Sequence, residues 1–179
     1  MSETLPQLAR EWESFYLLIG TAGATLAGLL FVASSLTPRL MVGRDMNEVR
    51  VFTDPSLLAF TSSLVLSGLL LIPTLQAPPL GIALLLLGLL MPLYLAGTLR
   101  RLWRFGRQDS AFDLSDWLWH IASPVATNLL VLAVGILFLL AQAALGLDAL
   151  AFTVLLLLVT GIRNAWDLMV WIVSHGGEG

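Results

Sequence analysis

Five stretches of about twenty largely apolar residues follow one another along the chain, each the length needed to cross a bilayer as an α-helix. Residues 15–36, 55–75, 80–99, 124–145 and 149–173 supply them. A helix that is apolar all round needs either a large protein core or lipid to cover it. A chain of 179 residues that is 58% hydrophobic and 12% charged has too little polar surface to enclose that many in water, where about a quarter of residues are ordinarily charged. The expected architecture is therefore an all-α integral membrane bundle of about five spans. Residues 1–179 form a single transmembrane domain, with the lipid bilayer as its solvent.

The breaks between stretches carry helix punctuation. Asp54-Pro55 reads as an N-cap followed by proline in the first helical turn, where its missing N–H is no loss, and Ser123-Pro124 repeats the signal. Gln76-Ala77-Pro78-Pro79 reads as a tight turn. Gly146-Leu147-Asp148 reads as a terminal glycine and then a cap for the last helix. The longer connections differ. Residues 37–53 are mixed in charge, and residues 100–123 bring four arginines and then Asp113, Asp116, Trp117, Trp119 and His120. The tryptophans predict a short interfacial helix before the fourth span, because indole favours the headgroup zone.

Arginine placement predicts orientation. With five spans, Arg39, Arg44, Arg50, Arg100, Arg101, Arg104 and Arg107 fall on one side and Arg10 on the other. Positive charge marks the cytoplasmic face. The expectation is a bacterial inner-membrane protein with its N-terminus outside and its C-terminus in the cytoplasm. A reporter fused at Gly179 that read periplasmic would overturn it. The acidic Glu3, Glu11 and Glu13 before the first span do not suit a secretory leader.

Composition excludes several chemistries. There is no cysteine, hence no disulfide, thiolate nucleophile or zinc-thiolate site. All nine cations are arginine, so Schiff-base chemistry and the lysine of a standard phosphate loop are absent. A net charge of −3 with no basic run gives no sign of nucleic-acid binding. Asp116 and His120 sit at i, i+4, yet two ligands fall short of a metal site. No catalytic, cofactor-binding or metal-ligating set stands out, and no cofactor is implied. Glu11 and Glu13 could form an acidic mouth for cations or serve as ordinary outer-face charges.

Two features carry the functional expectation. In the first span Gly20, Ala24 and Gly28 fall at i, i+4, i+8, with Gly23 and Ala27 beside them. Small residues let helix backbones approach in lipid, where the hydrophobic drive between helices is lost. The stripe serves either packing inside the bundle or association with a second copy or a membrane protein partner. In the last span Arg163 and Asp167 are one turn apart, with Asn164 between them. Asn128 and Ser62, with neighbouring Thr61 and Ser63, fall toward the same leaflet, so a buried polar network is expected there. Alternatively, Arg163 and Asp167 form a structural ion pair and the hydroxyls bond their own helices. Pro92 is expected to kink the third span.

Trp12-Glu13-Ser14-Phe15 with the run Gly20 to Ala33, and later Asn164-Ala165-Trp166-Asp167, resembles a group of small uncharacterised bacterial multi-pass membrane proteins. Some of these carry a transferred label as modulators of the FtsH protease. The resemblance covers the first and last spans and implies a packing role rather than a catalytic residue. The functional expectation is a regulatory or accessory membrane subunit that is not an enzyme. The alternative is a homo-oligomeric ion channel or small transporter using the polar cluster.

Overall fold

A computed structural model describes residues 5–40, 46–74, 76–90, 119 and 122–175. Among them are five helices and no strand: α1 (Leu5–Leu40), α2 (Met46–Leu70), α3 (Ala77–Leu90), α4 (Ser123–Leu139) and α5 (Ala143–His175). Pro92, Asp113, Asp116, Trp117 and His120, with the expected interfacial helix, lie outside the described residues; Trp119 is described and is in a wider π-helical turn, as is Ala122. The helices α1 and α5 are long and apolar enough to cross a membrane, while α3 and α4 are shorter apolar helices.

The elements run longer than the apolar stretches. Helix α1 starts ten residues before the expected span and passes through Arg10, Glu11 and Glu13, because exposed charged residues continue a helix as readily as apolar ones. Pro55 is inside α2 rather than at its start, so the Asp54-Pro55 boundary is corrected to an interior proline that removes one backbone hydrogen bond. The tight turn expected at Gln76-Ala77-Pro78-Pro79 is corrected likewise: Ala77, Pro78 and Pro79 form the first turn of α3, where proline is tolerated.

The α4–α5 turn falls earlier than expected. Gly146 is buried inside α5, and α4 ends instead on Ala141 in the left-handed region, with φ 58°. The amide of Gln142 donates to the Leu137 carbonyl at 3.0 Å and that of Ala141 to Phe138 at 3.2 Å, the two bonds of a Schellman cap. Gly146 is needed elsewhere: a Cβ there would stand 3.0 Å from two atoms of the Phe138 ring.

The pairs α1/α2, α2/α5, α3/α4 and α4/α5 run antiparallel, so that α1 and α5 run parallel. Helix α1 meets α2 where Gly20 faces Ser67 and Gly23 faces the backbone at Phe60 and Leu64. Helix α2 meets α5 where the buried Ser63 hydroxyl donates to the Val154 carbonyl at 3.3 Å and Phe60 lies on Gly161. Helix α5 also contacts α1 and α4, and α3 lies along α4. The centre is filled by Tyr16, Phe60, Phe138, Leu84, Leu147 and Val154, all essentially inaccessible. The outward surface is apolar too. Leu18, Phe31, Leu89, Leu129, Phe152, Val159 and Ile162 are all more than half exposed.

Candidate functional site

The small-residue stripe of α1 divides between two faces. Gly20 and Gly23 are buried against α2, and a Cβ on Gly23 would stand 2.8 Å from the Phe60 carbonyl oxygen. Ala27 is half-buried on the same side. Ala24 and Gly28 are exposed with Thr21 and Thr25, and nothing lies within 4 Å of a Cβ built on Gly28. The Thr25 hydroxyl donates to the Thr21 carbonyl at 2.8 Å and is thereby turned back onto its own helix. Intramolecular packing thus uses Gly20 and Gly23 and leaves the Ala24/Gly28 side open.

A second pair of close helix crossings went unread in the sequence. Gly81 and Gly88, two turns apart on α3, face α4, and a Cβ on Gly81 would stand 2.8 Å from the Gly135 carbonyl oxygen. Gly135 returns the contact at 3.1 Å from the Gly81 carbonyl oxygen. The seven-residue spacing within an otherwise leucine-rich helix is the signal that could have disclosed it.

The polar cluster gathers in the C-terminal half of α5. Arg163 Nη2 lies 3.4 Å from Asp167 Oδ1, with the arginine side chain 40% and the aspartate 21% exposed. The pair is thus half open to the surroundings. One turn earlier, Thr160 shares a 2.6 Å hydrogen bond with Ser123, and the Thr127 hydroxyl donates to the carbonyls of Ser123 and Pro124, each at 3.0 Å. Asn164 is fully buried, and neither of its amide atoms has a hydrogen-bond partner; the Asn128 carbonyl oxygen is likewise unpaired. No hydrogen bond therefore joins the two amides, and the expected network is not continuous. Ser62 is half-buried, and the inward serine of that turn is Ser63. A cavity of about 20 Å³ lies between Pro55 and Ala59 of α2, Thr127 of α4, and Thr160 and Asn164 of α5. Its size suits one water molecule.

The far end of the bundle is aromatic. Trp12, Phe15 and Tyr16 pack with ring centroids 5.1–6.0 Å apart, and the buried Tyr16 hydroxyl donates to the Leu147 carbonyl at 2.8 Å. That bond puts Tyr16 level with the first turns of α5. Exposed Trp166 lies nineteen residues further along α5, about 28 Å away at a helical rise of 1.5 Å. Arg163 is one turn short of Trp166, and α5 continues past both to His175.

Among the described residues no three His, Asp or Glu side chains come together. No protein-family model matches the chain, and neither a curated protein nor a solved structure matches it.

Proposed function

We propose that the protein is an integral membrane bundle that acts, without catalysis, by associating with another membrane-spanning helix through the outward face of α1. The observation that carries the reading is the division of the small-residue stripe. Gly20 and Gly23 are consumed by α2, whereas Thr21, Ala24, Thr25 and Gly28 stay exposed. The apolar window of α1 is only 28% buried, half the 56% of α5. Lipid covers apolar surface at no penalty, so an exposed leucine in a membrane asks for no partner. A run of small residues instead offers a shallow groove for close backbone contact. The membrane part of the proposal is supported by the apolar outer surface and by aromatic ends spaced like the roughly 30 Å hydrocarbon core. On the arginine asymmetry, the aromatic cluster of α1 faces the outside of a bacterial inner membrane.

The test is the mass of the intact complex in mild detergent. Ala24→Leu with Gly28→Leu is expected to release the bound partner, or to reduce a homo-oligomer to monomer, with helicity unchanged. A monomeric wild-type protein with no companion would sink the reading. A homo-oligomeric channel or small transporter is the second reading, favoured by Arg163, Asn164 and Asp167 together in the C-terminal half of α5. A clean homo-oligomer that passes ions in liposomes would establish it instead.

A further inference from the structure

The opposite end of the bundle holds a groove of about 290 Å³ between the start of α1 and the end of α2. Leu5, Pro6, Ala9 and Leu17 form the α1 side, and Leu70, Ile72 and Pro73 are among the residues forming the other. Two charged residues open onto it, Arg10 and Glu13. They stand three residues apart and so share one side of the helix. Among the described residues no ion pair joins them, and both are exposed. The groove therefore presents a guanidinium, a carboxylate and an apolar wall that continues along α1 to Leu17.

We infer that this groove binds a zwitterionic phospholipid with a primary-amine headgroup, its phosphate on Arg10, its ethanolamine arm turned back along α1 to set the ammonium on Glu13, and its acyl chain against Leu17 and Leu70. The inference rests on the membrane reading above. Guanidinium matches phosphate oxygens in a two-point geometry. A primary ammonium donates hydrogen bonds to a carboxylate, which a quaternary ammonium cannot do. Quaternary headgroups are recognised by aromatic faces, and no described residue lining this groove is aromatic. An anionic lipid would use Arg10 and meet repulsion from Glu13. The aromatic cluster of Trp12, Phe15 and Tyr16 is on the same turns of α1, at the depth that indole and phenol side chains take among headgroups.

The experiment begins with an alkaline carbonate wash of membranes containing the full chain. Protein in the supernatant would overturn the membrane reading and this site with it. Protein retained in the pellet is purified in mild detergent and titrated with phosphatidylethanolamine, phosphatidylcholine and phosphatidylglycerol of equal chain length, with binding read by native mass. One equivalent of phosphatidylethanolamine is expected to bind in preference to the other two. Glu13→Gln is expected to erase the preference over phosphatidylglycerol. Arg10→Gln is expected to weaken phosphatidylethanolamine binding by about fivefold, the upper end for an exposed charged pair. Equal binding of all three lipids, or a preference unchanged in both variants, would overturn the site while leaving the membrane reading standing. Glycerophosphoethanolamine, which lacks the chains, is expected not to compete; if it competes fully, the ligand is a soluble phosphate ester and the lipid assignment falls.

Discussion

At the residue scale the glycines separate structural from free positions. A Cβ at Gly161 would stand 2.5, 2.9 and 3.1 Å from three atoms of the fully buried Phe60 ring. Gly161→Ala is therefore expected to destabilise the fold by about 1–3 kcal/mol through overpacking. Gly28→Ala, with nothing near it, is expected to add about 0.5–1 kcal/mol from helix propensity. Thermal melts followed by far-UV circular dichroism compare the two, and Phe60→Leu in the Gly161→Ala background should recover part of the loss. Equal melting of the two alanine variants would mean that the Phe60–Gly161 contact is absent. Asn164 is a different case. Its buried amide has no hydrogen-bond partner on the protein, and a buried amide left unsatisfied costs about 1–3 kcal/mol. Asn164→Leu is expected to keep or raise the melting temperature, and a fall of several degrees would mean that the amide has a bonding partner after all. The presence of Asn164 at an apolar depth was legible in the sequence. Its lack of a partner was not, because that depends on which turn of α2 and α4 arrives opposite.

At the element scale the sequence located the helices and misplaced several of their ends. The apolar period identifies what must be covered, and helix ends are set by caps and backbone contacts that the period does not report. Two glycines show the difference. Gly146 looks like a terminator, but its missing side chain makes room for Phe138, so α4 must stop on a residue with a Cβ. Ala141 accepts the left-handed conformation there at a cost of about 1–2 kcal/mol relative to its right-handed form. Ala141→Gly should relieve part of that strain, offset by the greater freedom of glycine in the unfolded chain. The expected net gain is about 0.5–1 kcal/mol, read as a higher midpoint in denaturant or heat. A loss would place Ala141 outside the left-handed region. The α3–α4 seam gives the same lesson: Gly81 and Gly135 are unremarkable singly, and only the folded pairing makes each the other's requirement.

At the scale of the whole molecule the apolar surface and the two aromatic ends make one quantitative claim. If Tyr16 with Leu147 marks one interface and Trp166 the other, then Leu155 is near the middle of the hydrocarbon. Leu155 faces outward, 44% exposed, and Trp166 also faces outward at 61%, so neither is needed to fill the core. Depth alone then separates them. An arginine at mid-bilayer costs about 2.5–3.5 kcal/mol on insertion scales and far less near an interface. Leu155→Arg is therefore expected to lower the inserted-to-uninserted ratio by well over tenfold relative to Trp166→Arg, measured as carbonate-resistant against carbonate-released protein at matched expression. The native Arg163, one turn from Trp166, has Asp167 3.4 Å away as a counter-charge, which an arginine at position 155 would lack. In water the two variants would instead behave alike, since both replace an exposed apolar side chain with a charged one. Equal and undiminished yields in the soluble fraction would therefore refute the membrane reading. A strong penalty at Leu155 alone would measure the thickness of the apolar belt from the protein's own residues.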